Sequence, residues 1–252
     1  MILQYASDLH LEMIQNHTWL TEFPLVPVSD ILIVAGDLTY LNKTHLENPL
    51  IDQLSKEFRQ VYVVPGNHEF YVRSYDIADC FPSLKFQVRK NITYLNNQTI
   101  ILDRCRIVFT TLFSHISNHQ LIERKLNDFH SCVYGGERFS TQDYNQCHEE
   151  CKRFLEKELA NPFDGATIVV SHHAPYPPEY CSYNFDGLLN EAFHVDMSYL
   201  LDLYKIDHWI HGHTHHNLKP FQIGNTWFHT NQLGYTFYNE HQSFNKSATI
   251  KW

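Results

Sequence analysis

Five short apolar runs in this chain end in residues whose side chains bind metal ions. Met1–Ala6 leads into Ser7-Asp8-Leu9-His10, Ile31–Ala35 into Gly36-Asp37, and Val61–Val64 into Pro65-Gly66-Asn67-His68-Glu69. Thr167–Val170 leads into Ser171-His172-His173, and Asp207–Ile210 into His211-Gly212-His213-Thr214-His215. Asp8 and His10 are two apart, and in extended chain they project to one side, so both can reach one ion. His213 and His215 repeat that spacing. Carboxylates mixed with imidazoles suit zinc, manganese or iron, whereas calcium and magnesium choose oxygen ligands. Two ions within about 4 Å need a shared ligand, and a carboxylate with two oxygens can bridge them. Asp37 is the candidate bridge.

The runs themselves are short stretches of Val, Ile and Leu, the pattern of strands buried on both faces of a sheet. Ligands of open α/β sheets gather at the carboxyl ends of their strands, so five runs ending this way describe one site built from distant pieces of chain. Helical patterns lie between them, as α/β organisation requires. Asn48-Pro49 reads as an N-cap and first helical residue, with Leu50, Leu54 and Phe58 following at four-residue spacing. Thr141 to Ala160 carries a stripe of Tyr144, Cys147, Cys151, Leu155 and Leu159, and Asn161-Pro162 ends it. Asp196 is expected to cap a further helix bearing Leu200, Leu201 and Tyr204. Ile100–Leu102 and Arg106–Thr111 read as strands joined by a tight turn, and Thr226–His229 with Ser247–Trp252 as strands closing a second sheet. Residues 113–140 and 174–195 lack periodicity and follow strand ends, where loops that shape an active site belong. With no repeat or linker, residues 1–252 are expected to form one domain.

Composition narrows the function. The chain has 252 residues, is 43% hydrophobic and carries a formal charge of −9, with no long run of Lys and Arg. A basic footprint for duplex nucleic acid is therefore not evident, and no nucleic-acid partner is expected. None of the six cysteines forms a C-x-x-C pair, which excludes a zinc ribbon. No run reaches the roughly 18 apolar residues of a membrane helix, and Met1 opens directly into a strand without a secretory leader. A soluble protein of the reducing cytoplasm is expected.

The ordered set Asp8-x-His10, Gly36-Asp37, Gly66-Asn67-His68-Glu69, His172 and Gly212-His213-x-His215 resembles the calcineurin-like metallophosphoesterases. Any one motif is weak; the order and spacing over nearly the whole chain are specific. Gly66–Tyr71, Leu126-Asn127-Asp128-Phe129 and His172-His173-Ala174-Pro175 resemble small bacterial-type members. The resemblance implies a four-layer α/β/β/α sandwich of two mixed sheets. It implies two divalent transition-metal ions, manganese foremost, with iron, zinc, nickel or cobalt also accepted. One ion would be held by Asp8, His10, Asp37 and His215, the other by Asp37, Asn67, His172 and His213. A hydroxide bridging them would attack the phosphorus of a phosphomonoester or phosphodiester, with Asn67 contacting the phosphoryl group and His68 either hydrogen-bonding that group or protonating the leaving oxygen. The substrate would be a small or nucleotide-like phosphoester. The rival readings are a nuclease of the same superfamily and a non-catalytic metal-binding scaffold.

There are departures. Where the protein phosphatases of the family carry Asp-Arg-Gly soon after Gly-Asp, this chain has Tyr40-Leu41-Asn42, so the carboxylate that orients His68 and the arginine that clamps phosphate are absent there. Asn231-Gln232-Leu233-Gly234-Tyr235 likewise lacks the arginine that the related subgroup places before its final Gly-Tyr. His173 is taken as a substrate contact, whereas His211 and His216 read as supports of the ligands or as solvated strand ends. Asp128 could face the site from its loop, and Glu69 could support it as an acceptor. Tyr176, Tyr180 and Tyr183 could line a pocket beside His172 or pack their own loop. His17, His45, His119, His148 and His241 read as surface residues.

Overall fold

The computed structural model describes residues 2–176, 187 and 189–252. Its strands are β1 (Ile2–Ala6), β2 (Ile31–Ala35), β3 (Gln60–Val64), β4 (Leu84–Arg89), β5 (Ile92–Asn96), β6 (Gln98–Leu102) and β7 (Cys105–Thr110). A two-residue-per-strand hairpin, β8 (Val133–Tyr134) with β9 (Glu137–Arg138), precedes β10 (Ala166–Ser171), β11 (His208–His211), β12 (Phe221–Ile223), β13 (Thr226–Thr230) and β14 (Thr249–Lys251).

Two six-stranded sheets result, ordered β14-β1-β2-β3-β5-β4 and β12-β13-β11-β10-β7-β6. Each has a parallel centre, β1-β2-β3-β5 in one and β13-β11-β10-β7 in the other, flanked by antiparallel edges. The strand alternation shows how the layers form. Ile31, Ile33 and Ala35 of β2 face Ile168 and Val170 of β10 across the space between the sheets. Leu32 and Val34 face outward onto Ile51 and Leu54 of the helix Pro49–Glu57. Val169 and Trp209 face the opposite way, onto Leu155 and Leu159 of the helix Thr141–Leu159. The four layers expected from the sequence are therefore present.

The helix signals were legible in part. Asn48 caps its helix by accepting from Leu50 N–H, and the stripe Tyr144, Cys147, Cys151, Leu155 and Leu159 is buried as read. Ser140 and Asp143 form a reciprocal capping box at that helix start, satisfying amides that have no partner within the helix. Four expectations need correction. β14 joins the first sheet, not the second: it pairs antiparallel with β1, Ile2 opposite Lys251. Asp196 accepts from Ser198 N–H ahead of a helix that spans only Tyr199–Leu203. Residues 113–140 are not irregular throughout; they hold helices His119–Lys125 and Asp128–Ser131 and the small hairpin. His148 is buried, its ring Nδ1 donating to Phe113 C=O at 2.7 Å. Cys80, Cys105, Cys132, Cys147 and Cys151 are free thiols, all buried; Cys181 lies outside the described residues. Among those residues, no helix is long and apolar enough to cross a membrane.

Candidate metal centre

Parallel strands point their carboxyl ends one way, so β1, β2 and β3 from one sheet and β10 and β11 from the other deliver their following residues to one end of the sandwich. Asp8, His10, Asp37 and His215 form one cluster, and Asp37, His172 and His213 a second, with ligand atoms in each within 4.8 Å of one another. Asp37 belongs to both. Asn67 joins the second cluster, its Oδ1 lying 3.1 Å from His172 Nε2.

The route by which these side chains converge differs from the extended-chain reading. Asp8, His10, Asp37, His213 and His215 all have positive φ, between 47° and 70°. This left-handed region is sparsely used by residues with a Cβ, and such strain concentrates at functional sites. The alternating spacing survives, but it is tight turns just past the strand ends, not extended chain, that fold the side chains inward. Two glycines make room. Gly36 sits at φ +90°, and a Cβ there would stand 2.1 Å from His172 Nδ1. A Cβ on Gly66 would stand 2.1 Å from Asp37 Oδ1.

The outer hydrogen bonds decide which atoms face inward. His10 Nδ1 donates to Glu12 Oε1 at 3.0 Å, and His215 Nδ1 to Glu240 Oε2 at 2.8 Å. His172 Nδ1 donates to Ala35 C=O at 3.0 Å, and His213 Nε2 to Ala192 C=O at 3.2 Å. Carboxylates and carbonyls only accept, so each neutral ring must present its other nitrogen as a lone pair. Asn67 Nδ2 donates to Asp128 Oδ1 at 3.0 Å, which turns Oδ1 of the same amide inward. With all four rings neutral, as in a metal-bound state, the inward set would be electron pairs: His10 Nε2 lies 3.0 Å from His215 Nε2, and His172 Nε2 3.1 Å from His213 Nδ1. Converging lone pairs with carboxylates is the donor set of a divalent transition metal, and the residues fit two such ions.

The electrostatics agree. Burial pushes His10 and His172 down to about 4, against the pull of Glu12 and of Asp8 respectively, which keeps both rings neutral as ligands must be. His215 moves the other way. Burial opposes its charge, but hydrogen bonds and attraction from Asp8 and Glu240 outweigh that and raise it to about 9. Burial, with Glu69 and Asp8 nearby, drives Asp37 well above the carboxylate range, a cost that a cation would remove. Glu69 accepts from the backbone N–H of Gly66 at 2.7 Å, Leu38 at 2.9 Å and Asp37 at 3.0 Å, tying the loops after β2 and β3 together.

The centre opens into a cleft of about 1040 Å³ lined by Asn67, His68, Asp128, Phe193, His213, His215, Tyr235, Tyr238 and Glu240 among others, with no Lys or Arg among the described lining residues. His68 stands beside Asp37, whose Oδ1 accepts from His68 N–H at 2.9 Å. The carboxylate missing after Gly36-Asp37 comes from elsewhere: Glu12 Oε1 accepts from His68 Nδ1 at 2.8 Å. Glu12 is held ionised, down to about 2; burial opposes this, and hydrogen bonds from His10 and His68 overcome it. His68 Nε2 meets Tyr235 Oη at 3.0 Å.

Other candidates fall differently. His173 is wholly buried behind His213, ring centroids 4.2 Å apart, with Nε2 on Tyr144 Oη and Nδ1 on Thr111 C=O, and it does not line the cleft. His211 is buried on Tyr176 Oη at 2.7 Å, not solvated, and that contact keeps Tyr176 in the core; His216 reaches the cleft rim. Tyr180 and Tyr183 lie outside the described residues. Asp128 does face the site, holding Asn67 and Tyr71. Glu12, Tyr235 and Glu240 were not expected at the site. Glu12 had a signal, since Asp8-x-His10-x-Glu12 continues the two-residue spacing; Glu240 had none.

A family model described as calcineurin-like phosphoesterase matches residues 5–217. An uncharacterised protein of Acanthamoeba polyphaga mimivirus is 32% identical over 281 residues, covering 99% of this chain and 96% of its own. Among solved structures, the phosphopantetheinyl hydrolase of Mycobacterium tuberculosis superposes with a TM-score of 0.72 at 18% identity, covering 98% of this chain and 95% of its own. A dimetal phosphatase of Danio rerio gives 0.50 at 11% identity, over 92% of this chain and 87% of its own. These two show a shared fold.

Proposed function

The chain belongs to the calcineurin-like phosphoesterases, and on that premise we propose that it is a dinuclear metal-dependent hydrolase of a small or nucleotide-like phosphomonoester or phosphodiester. The observation that carries this reading is the pair of clusters sharing Asp37, with one nitrogen of each histidine ring turned inward by a partner on the other. One ion is assigned to Asp8, His10, Asp37 and His215 and the other to Asp37, Asn67, His172 and His213, with manganese the first metal to supply. When bound, the ions would activate a bridging water as nucleophile and neutralise charge on the phosphoryl oxygens.

This chain's own residues do the rest. Asn67 is fixed by Asp128, so the amide is preset before substrate arrives. His68 is the source of the proton that ends on the leaving oxygen, its ring oriented by Glu12. His173 is assigned to supporting His213 from behind. With no cationic side chain among the described cleft residues, phosphate recognition rests on the ions, Asn67 and His68. The same feature, with a net charge of −9, disfavours the nuclease reading, because nucleic-acid backbones are gripped by Lys and Arg. The scaffold reading loses ground to a complete ligand set accompanied by His68. The single domain and cytoplasmic location expected from the sequence are part of this proposal.

The test is hydrolysis of p-nitrophenyl phosphate beside bis-p-nitrophenyl phosphate, with manganese returned after chelation. Turnover abolished by the chelator is expected, and the ratio of rates assigns monoester or diester chemistry. Silence on both, and on a panel of nucleotide esters, in protein shown to hold two metals would refute the reading.

A further inference from the structure

Glu12, His68 and Tyr235 form a continuous hydrogen-bonded chain: Glu12 Oε1 lies 2.8 Å from His68 Nδ1, and His68 Nε2 lies 3.0 Å from Tyr235 Oη. His68 therefore has no ring nitrogen turned to the open cleft, because its cleft-side nitrogen faces a phenol. Tyr235 lines that cleft, and its ring packs on His10 and His215 at 4.8 and 4.5 Å between centroids, which holds the hydroxyl in place. A proton passing from His68 to a substrate oxygen meets this hydroxyl first.

Resting on the hydrolase reading above, we infer that Tyr235 is the residue that hands a proton to the leaving oxygen, recharged by His68, which Glu12 positions. The step balances. As the bond from phosphorus to the leaving oxygen breaks, the electron pair left on that oxygen takes the Tyr235 O–H proton. The proton on His68 Nε2 passes to Tyr235 Oη, remaking the phenol. His68 keeps its Nδ1–H donated to Glu12, and solvent restores the Nε2 proton. Tyr235 is thus a catalytic residue and Glu12 a positioning residue.

The experiment compares Tyr235→Phe with wild type on two esters of one shape, phenyl and p-nitrophenyl, of whichever class the wild type hydrolyses. Phenoxide is the poorer leaving group and needs the proton more. The expected kcat loss is on the order of 10²-fold on the phenyl ester and at least about tenfold smaller on the p-nitrophenyl ester. His68→Gln should show the same selectivity, and the double variant should be no worse than the worse single one, since both act in one relay. Tyr235→Phe keeps the ring, so bound metal and melting temperature should match wild type. Equal losses on both esters, undiminished kcat on the phenyl ester, or faster turnover once the hydroxyl is gone would overturn the relay alone. A wild type inactive on aryl esters of both classes and on a panel of nucleotide esters, in protein shown to hold two metals, would overturn the hydrolase reading and the relay with it.

Discussion

His10 and His215 face each other with Nε2 atoms 3.0 Å apart, and each ring has already given its other nitrogen to a carboxylate, Glu12 for one and Glu240 for the other. Two neutral rings so placed would oppose lone pair to lone pair. A proton or a cation must sit between them, and His215, raised to about 9, supplies the proton in metal-free protein.

Metal uptake should therefore displace that proton. Below about pH 9 His215 is charged before binding and neutral after it, so affinity should rise between pH 7 and pH 9 and flatten beyond. Calorimetry of manganese binding in buffers of different ionisation enthalpy measures the proton released. A pH-independent affinity with no proton release would contradict the assignment.

His213→Ala should lose the second ion while leaving the first, because Asp8, His10, Asp37 and His215 are untouched. His68→Ala should keep both ions and the fold but lower kcat by about 10²–10⁴-fold. Metal analysis beside turnover separates the two.

Glu240→Gln removes the charge that fixes His215 without removing a ligand. Outer partners of this kind are typically worth about 10–100-fold in metal affinity. Titration should show that loss for one ion only, and an unchanged affinity would deny Glu240 its role.

Gly66→Ala would place a methyl 2.1 Å from Asp37 Oδ1. Overpacking of this kind costs about 1–3 kcal/mol, and here it also displaces the shared ligand. A lowered melting temperature together with fewer than two bound ions is expected; a variant with both ions intact would show that the loop gives way.

The metal-free protein should weaken in acid. Burial first, then His208 and His211 nearby, hold His229 at about 4, and burial holds His211 at about 4. The unfolded chain takes up these protons near the ordinary histidine value of about 6.5, so it binds more of them than the folded chain below that pH. Stability is then lost as pH falls from 7 toward 4. Melting curves in chelator at pH 7 and pH 5 should differ, with the lower temperature at pH 5.

The clustering of the proposed ligands was legible because each follows a strand end: an apolar run fixes where a side chain emerges, and β1, β2, β3, β10 and β11 emerge together. What surrounds them was not. Glu240 reaches His215 only through the turns at residues 234–240, which no periodicity encodes. The partner of β14 was misread because alternation tells a strand from a helix but not which edge it joins. Helices of four and seven residues inside 113–140 are too short to show a 3.6-residue period. His148 looked like surface because it is polar; one acceptor, Phe113 C=O, was enough to keep it inside.

Each cluster draws on both sheets. Asp8, His10, Asp37 and Asn67 follow strands of one, while His172, His213 and His215 follow strands of the other. Mechanically, an ion held there is a clasp. It would fasten one end of the sandwich, while the far end is held by apolar side chains such as Leu3 and Ile31, whose contacts are not directional. Closing the clasp would leave the sheets free to splay only at the end away from the chemistry, so the distances that matter to a reacting phosphorus would be the last to drift.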